Sequence, residues 1–194
     1  SRRAGIMTLV SLGLTAGALA WLASRSPEEP GLGSMVALDS FRFLGSALIL
    51  LVSFGAVLSS LGYLERERLV APEYYVLVLL AVIGMLFMVN AHDLIVLFLG
   101  LETMSVAVYV LAGFNRGNAF SAEAALKYFL IGAFASGFLL YGIALTYGAA
   151  GSTNLAQIGM STTDIVMMGW LGADVLAAGA LGTNLYFVPL IFGI

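Results

Sequence analysis

Apolar runs of about twenty residues recur along this chain, and that recurrence constrains the fold more than any other feature. A helix rises ~1.5 Å per residue, so ~20 apolar residues cross the ~30 Å hydrocarbon layer of a bilayer. Six such segments can be drawn, at residues 4–23, 41–64, 74–91, 94–113, 122–148 and 164–182. Composition agrees: 61% of the 194 residues are hydrophobic and 10% are charged, with mean hydropathy +1.03. Soluble domains carry about 25% charged residues. The expected fold is all-α, a polytopic transmembrane helix bundle of about six spans forming a single transmembrane domain over residues 1–194.

Several function classes drop out. With no cysteine there is neither a disulfide framework nor a thiolate metal site. One histidine and scattered acids make no metal cluster, and eight basic residues spread over separate loops make no nucleic-acid footprint. No phosphate-binding glycine loop, histidine-centred nucleophile or pair of catalytic acids in a loop is present. Arg2 and Arg3 precede the first apolar run as they would in a signal peptide. That run, however, exceeds the usual ~7–15 residues and has no small-x-small cleavage site, so it reads as a span. Met7 lies inside it and the chain opens at Ser1, so the native start is expected upstream.

The connections set the arrangement. Pro27 and Pro30 break the loop at 24–40, and a charged turn, Glu65-Arg66-Glu67-Arg68, runs on to Pro72. The His92-Asp93 turn is so short that the third and fourth helices must be antiparallel neighbours. After the loop FNRGNAFS, Ser121 is the expected N-cap of the fifth helix, with Glu123 in its first turn. Residues 149–163 are rich in small and polar residues, with Ser152-Thr153-Asn154 read as a loop. The sixth segment, 164–182, has Asp174 in its middle and four glycines, and it reads as a broken helix or a span cut short. Gly13 with Gly17, Gly132 with Ser136, and Ala133 with Gly137 are small pairs four apart, a spacing that lets helices approach closely in lipid. Arg2, Arg3, Arg66, Arg68 and Arg116, joined by Lys127, outnumber Arg25 and Arg42, which puts residue 1 on the cytoplasmic side. The His92-Asp93 turn then faces outward.

The strongest candidate for chemistry is Glu102, in the middle of LIVLFLGLETMSVAVYVLAG. It lies about nine residues past Asp93, ~13 Å deep, where a charge costs ~2.5–3.5 kcal/mol on the insertion scale. A carboxyl there reads as a proton or ion relay, or as a protonated group bonding a neighbouring helix. Ser105 and Tyr109 share its face at i+3 and i+7, a stripe that can carry protons or act as polar glue. Lys127 either snorkels to the interface or turns inward toward a buried acid, whose ionised form it would favour. His92 and Asp93 read as a solvated turn or as a proton access point. Arg42 reads as an interface anchor, and Asp174 either as a buried functional acid or as a sign that its segment does not cross.

Two long blocks carry a resemblance. They are PEYYVLVLLAVIGMLFMVNAHDLIVLFLGLETMSVAVYVLAGF and SAEAALKYFLIGAFASGFLLYGIALTYGAAGSTNL, within residues 72–155. This stretch, nearly half of the chain, closely resembles the antiporter-like membrane subunit N of proton-pumping NADH:quinone oxidoreductase, respiratory complex I. The earlier LDSFRFLGSALILL is similar to that family's preceding helix. The resemblance implies a piece of a fold of about fourteen helices, with two inverted repeats that each contain a broken helix. The six segments would match the family's second to seventh helices. The family's key carboxylate falls on Glu102 and its lysine at the start of the next helix on Lys127. In the broken helix the family has a lysine five residues before the proline of a Val-Pro pair, followed by Phe-His. Here Asn184 precedes Val188-Pro189, and Leu190-Ile191 follow, so the expected cationic partner of Glu102 is missing.

The function implied is proton translocation coupled to quinone reduction elsewhere in the complex. Glu102 and Lys127 would carry it, with His92, Asp93, Ser105 and Tyr109 as possible access groups. The resemblance implies no cofactor and no redox site in this chain, and a place in a bacterial inner membrane or equivalent energy-transducing membrane. Its partners would be the bilayer and other membrane subunits of complex I, especially neighbouring antiporter-like ones. The alternatives are a subunit of a multisubunit cation/proton antiporter and a non-pumping structural subunit, the latter favoured by the loss at Asn184. A chain ending inside a broken helix would need neighbours to satisfy its intramembrane backbone, so instability outside a complex is expected.

Overall fold

The computed structural model describes residues 2–24, 35, 36, 39–67, 69, 72–172, 174, 177 and 179. Asn184, Val188 and Pro189, where the missing cation was expected, lie outside the described residues. Among the described residues six helices follow one another: α1 (Arg2–Ser24), α2 (Ser40–Arg66), α3 (Glu73–Asn90), α4 (Leu94–Ala112), α5 (Ala119–Ala150) and α6 (Leu155–Leu171). The first five are each long and apolar enough to cross a membrane. The expected all-α transmembrane bundle is what forms, and the protein is integral to a membrane.

Residues 1–144 and 145–194 form two compact units. In the first, the core lies among α1, α2 and α3 and is built from Leu12, Leu50, Val57, Leu64, Tyr75 and Val82. Helix α2 buries Ser46, Leu50, Ser53, Val57, Ser60 and Leu64. Their spacing alternates between four and three, and a serine recurs every seven residues. Small serines let the neighbouring helices approach, while Leu50, Val57 and Leu64 fill the gaps between them. The buried Ser53 and Ser60 hydroxyls donate to Ile49 and Val57 carbonyls of their own helix, both at 2.7 Å.

Helices α3 and α4 meet backbone to backbone. A Cβ on Gly84 would lie 2.5 Å from the Met104 nitrogen and 2.6 Å from the Gly100 oxygen. One on Gly100 would lie 2.8 Å from the Gly84 oxygen. Only glycine at both positions allows this approach, and it seats the helix carrying Glu102 against its predecessor.

Two helix starts differ from expectation. Helix α5 begins at Ala119, where Asn118 Oδ1 accepts the Phe120 N–H at 2.9 Å. Ser121 is therefore inside the helix and is not its cap, and Glu123 falls beyond the first turn. Ser121 Oγ instead donates to the Ala112 carbonyl at 2.6 Å, closing the C-terminus of α4. At 32 residues α5 is ~48 Å long, well beyond the ~30 Å hydrocarbon layer, so its ends stand in the interface.

In the second unit, the helix expected from residue 164 starts earlier, at Leu155, directly after the expected 152–154 loop. Gly151, at φ 68°, ends α5 in the left-handed conformation that glycine adopts freely. Asn154 then caps α6, its Oδ1 accepting the N–H groups of Ala156 at 3.0 Å and Gln157 at 3.2 Å. Helix α6 stops at Leu171, and Gly172 follows at φ 120°. Asp164 is thus in the middle of a helix, while Asp174 lies past its end and is exposed. The reading of Asp174 as a buried functional acid is corrected accordingly.

Candidate functional site

Glu102 is the ninth of nineteen residues in α4, ~12 Å from its start and ~15 Å from its end. It is half-buried, and its carboxylate Oε1 accepts a hydrogen bond from the Ser136 hydroxyl of α5. Ser136 is itself near the middle of a 32-residue helix, so this bond joins two helices at mid-depth. The sequence offered Ser136 only as a small packing residue. Its role depends on the relative rotation and height of two helices, 34 residues apart in the chain.

The stripe beginning at Glu102 continues along the same seam. Ser105 is half-buried one turn on. Tyr109, two turns on, lays its phenol directly over Gly132 of α5, where any Cβ would collide with the Tyr109 oxygen and ring. Its ring also packs edge-on against Tyr128, with centroids 4.9 Å apart, and against Phe129 at 5.9 Å. Tyr128, Gly132 and Ser136 recur every four residues on α5, so one face of that helix receives both Glu102 and Tyr109.

Lys127 is not drawn to this seam. Its Nζ pairs with Glu123 Oε1 at 2.5 Å, one turn earlier in α5, and the two side chains are 68% and 56% exposed. The structure thus places Lys127, the ninth residue of α5, in an exposed i, i+4 ion pair.

In the His92-Asp93 turn Asp93 is buried and His92 half-buried, so the turn is not the fully solvated one expected. Asp93 is 4% exposed. Its Oδ1 accepts the Ile95 N–H at 2.8 Å and caps α4. The His92 N–H donates to the Met35 carbonyl at 2.8 Å, and Val36 pairs with Ala91 as an isolated antiparallel bridge. The His92 Nδ1 is buried without a hydrogen-bond partner. Arg42 is more than an interface anchor. Its Nη1 donates to the Asn90 carbonyl at 2.9 Å, placing a cation on the C-terminus of α3, and Nε lies 3.4 Å from Asp39. Asn90 in turn donates from Nδ2 to Ser46 Oγ at 3.1 Å and to the Leu86 carbonyl at 2.8 Å. Asp39, Arg42, Ser46 and Asn90 therefore form a polar clamp at the end of the bundle where the 92–93 turn lies.

Residues 91–191, just over half of the chain, match the family model described as NADH:quinone oxidoreductase/Mrp antiporter, TM. A NADH-quinone oxidoreductase subunit N 1 from Herpetosiphon aurantiacus is 41% identical over 192 residues, covering 89% of this chain and 37% of that protein. A subunit N from Paramagnetospirillum magneticum is 53% identical over 116 residues, covering 60% of this chain and 24% of that protein. Respiratory complex I from Thermus thermophilus with bound aureothin contains a chain that superposes with a TM-score of 0.64 at 35% identity, over 78% of this chain and 33% of that one. The membrane-bound sulfane sulfur reductase, an archaeal respiratory membrane complex, gives a TM-score of 0.66 at 26% identity, over 80% and 34%. The chain spans roughly a third of the length of the curated relatives it matches, 34–37% for the first three. With a matching model over more than half its length, the chain belongs to the NADH:quinone oxidoreductase/Mrp antiporter transmembrane family.

Proposed function

We propose that this chain is the proton-translocating part of a membrane subunit of an NADH:quinone oxidoreductase. It would move protons while quinone is reduced in other subunits. The observation that carries this reading is the Glu102 carboxyl, held at mid-membrane by a hydroxyl from the next helix. A titratable group at that depth can alternate between charged and neutral forms and so carry a proton across the most apolar part of the bilayer. The subunit N relatives support the assignment of the reaction.

In this reading Glu102 is the switchable carboxylate. Ser105 and Tyr109 extend the polar stripe along α4, and the His92-Asp93 turn is an access point at the outer end. Lys127, in the first third of α5, modulates transport through its charge. No redox group belongs to this part, and oxidation of NADH and reduction of quinone fall to partner subunits. Neighbouring antiporter-like subunits and lipid surround the helices in a bacterial inner membrane.

The test is Glu102→Gln in the assembled complex, with proton uptake into membrane vesicles followed by a pH-sensitive dye. NADH oxidation should persist while proton transport falls. Unchanged transport would instead favour a structural subunit that does not pump. A second reading, a subunit of a multisubunit cation/proton antiporter, draws on the family description, which joins both classes. Sodium-dependent transport that ignores NADH would decide for it.

A further inference from the structure

Several hydroxyls in the described helices share a habit from which Ser136 departs. Ser53, Ser59, Thr103 and Thr162 each donate to the carbonyl four residues back in their own helix, at 2.7, 2.9, 2.7 and 2.8 Å. That bond is the default for a hydroxyl on a helix with no better acceptor. Ser136 donates instead to Glu102 on the neighbouring helix. Its own carbonyl four residues back is that of Gly132, the residue over which Tyr109 lies.

We infer that Ser136 is a positioning residue for Glu102, a hydroxyl whose acceptor changes with the carboxyl's proton. This rests on the reading of Glu102 as the proton carrier. Ionised, the carboxylate has lone pairs only, and Ser136 donates to it across the seam. Protonated, the carboxylic acid carries a hydrogen of its own and can donate it to Ser136 Oγ. The Ser136 hydrogen then turns to the Gly132 carbonyl, the acceptor used by its counterparts elsewhere in the chain. No atom is gained or lost by the pair beyond the transported proton. The exchange alters the polar environment beside Gly132, where the Tyr109 phenol sits, and so links Glu102 to the far end of its own stripe. Glycine at 132 is what permits that proximity, because a side chain there would displace the phenol.

The experiment is infrared difference spectroscopy on the assembled membrane complex during turnover, beside proton transport by the same preparation. The carboxyl and carboxylate bands lost in Glu102→Gln are those of Glu102. In Ser136→Ala, which removes one oxygen and adds no volume, those bands should move, the carboxyl stretch to higher frequency, and transport should slow. In Ser136→Thr, which keeps the hydroxyl, the bands should return to the parent positions. Bands that do not move in Ser136→Ala overturn the inference, whatever transport does. So does a shift in Ser136→Ala that Ser136→Thr fails to reverse, because that marks altered packing and not the loss of a donor. Full transport in Glu102→Gln would overturn the carrier reading separately, since the band positions still report the hydrogen bond.

Discussion

Helix α4 is held on its two sides by different means. Against α3 it is held by backbone contact, with Gly84 and Gly100 facing each other and no side chain between. Against α5 it is held by side chains that reach across, Glu102 to Ser136 and Tyr109 over Gly132. The first seam has one geometry, because bringing backbones this close leaves nothing to rotate. The second can change, because hydroxyls and carboxyls can exchange partners without the helices moving. A proton carrier needs both: a rigid wall that fixes its depth and an adaptable one that responds to its charge.

The sharpest way to break this contrast is to attack the rigid wall. Gly84→Val would put a branched side chain against the Met104 nitrogen and Gly100 oxygen, where a single Cβ is already too close. Neither helix can yield locally, so overpacking of about 1–3 kcal/mol or more is expected. Thermal unfolding of the detergent-solubilised complex should show the loss. A substitution tolerated without effect would mean that α3 and α4 are not locked together.

The clamp beside the 92–93 turn is the next test. Arg42→Ala leaves the half-buried Asn90 carbonyl without its cationic donor and removes a charge from the C-terminus of α3. Loss of a hydrogen bond to a charged group is expected to cost about 1.5–3 kcal/mol. Arg42→Lys should recover part of it, since an ammonium still reaches one acceptor. Proton transport per folded complex should change little if the clamp only holds α2 to α3. A selective fall in transport with stability intact would instead draw Arg42 into the access path beside His92 and Asp93.

What the sequence made legible follows the same division. The first five spans could be read because bilayer thickness dictates their length, and the Glu102–Tyr109 stripe because helical periodicity is local. The start of α6 was hidden because it rests on one residue, Asn154, whose amide caps two N–H groups inside a stretch rich in small and polar residues. Ser121 resembles a cap in sequence, but Asn118 reaches the first free N–H before it. The serines of α2 look like noise in an apolar run until their seven-residue spacing is noticed, and that spacing was available to find them. The Glu102–Ser136 bond had no comparable signature. Which residue of α5 meets Glu102 is set by how two helices rotate and slide past each other, and no local pattern encodes that.

The smallest expected effect sharpens the contrast at its edge. Lys127 and Glu123 form a close pair, but both side chains are more than half exposed in the first third of α5. Solvent screens such a pair, and an i, i+4 bridge on a helix surface contributes only about 0.3–0.5 kcal/mol. Lys127→Ala, Glu123→Ala and the double variant should therefore differ little in unfolding temperature, with the double no worse than the sum of the singles. Transport separates the roles that stability cannot. If the Lys127 charge modulates the proton carrier from its place in α5, Lys127→Ala slows proton uptake while stability barely moves, and Glu123→Ala, which frees the lysine from its partner, does not slow it in the same way. If both variants transport like the parent, Lys127 is only half of a surface ion pair, and the adaptable seam then owes its response to Glu102 and its neighbours on α4 and α5.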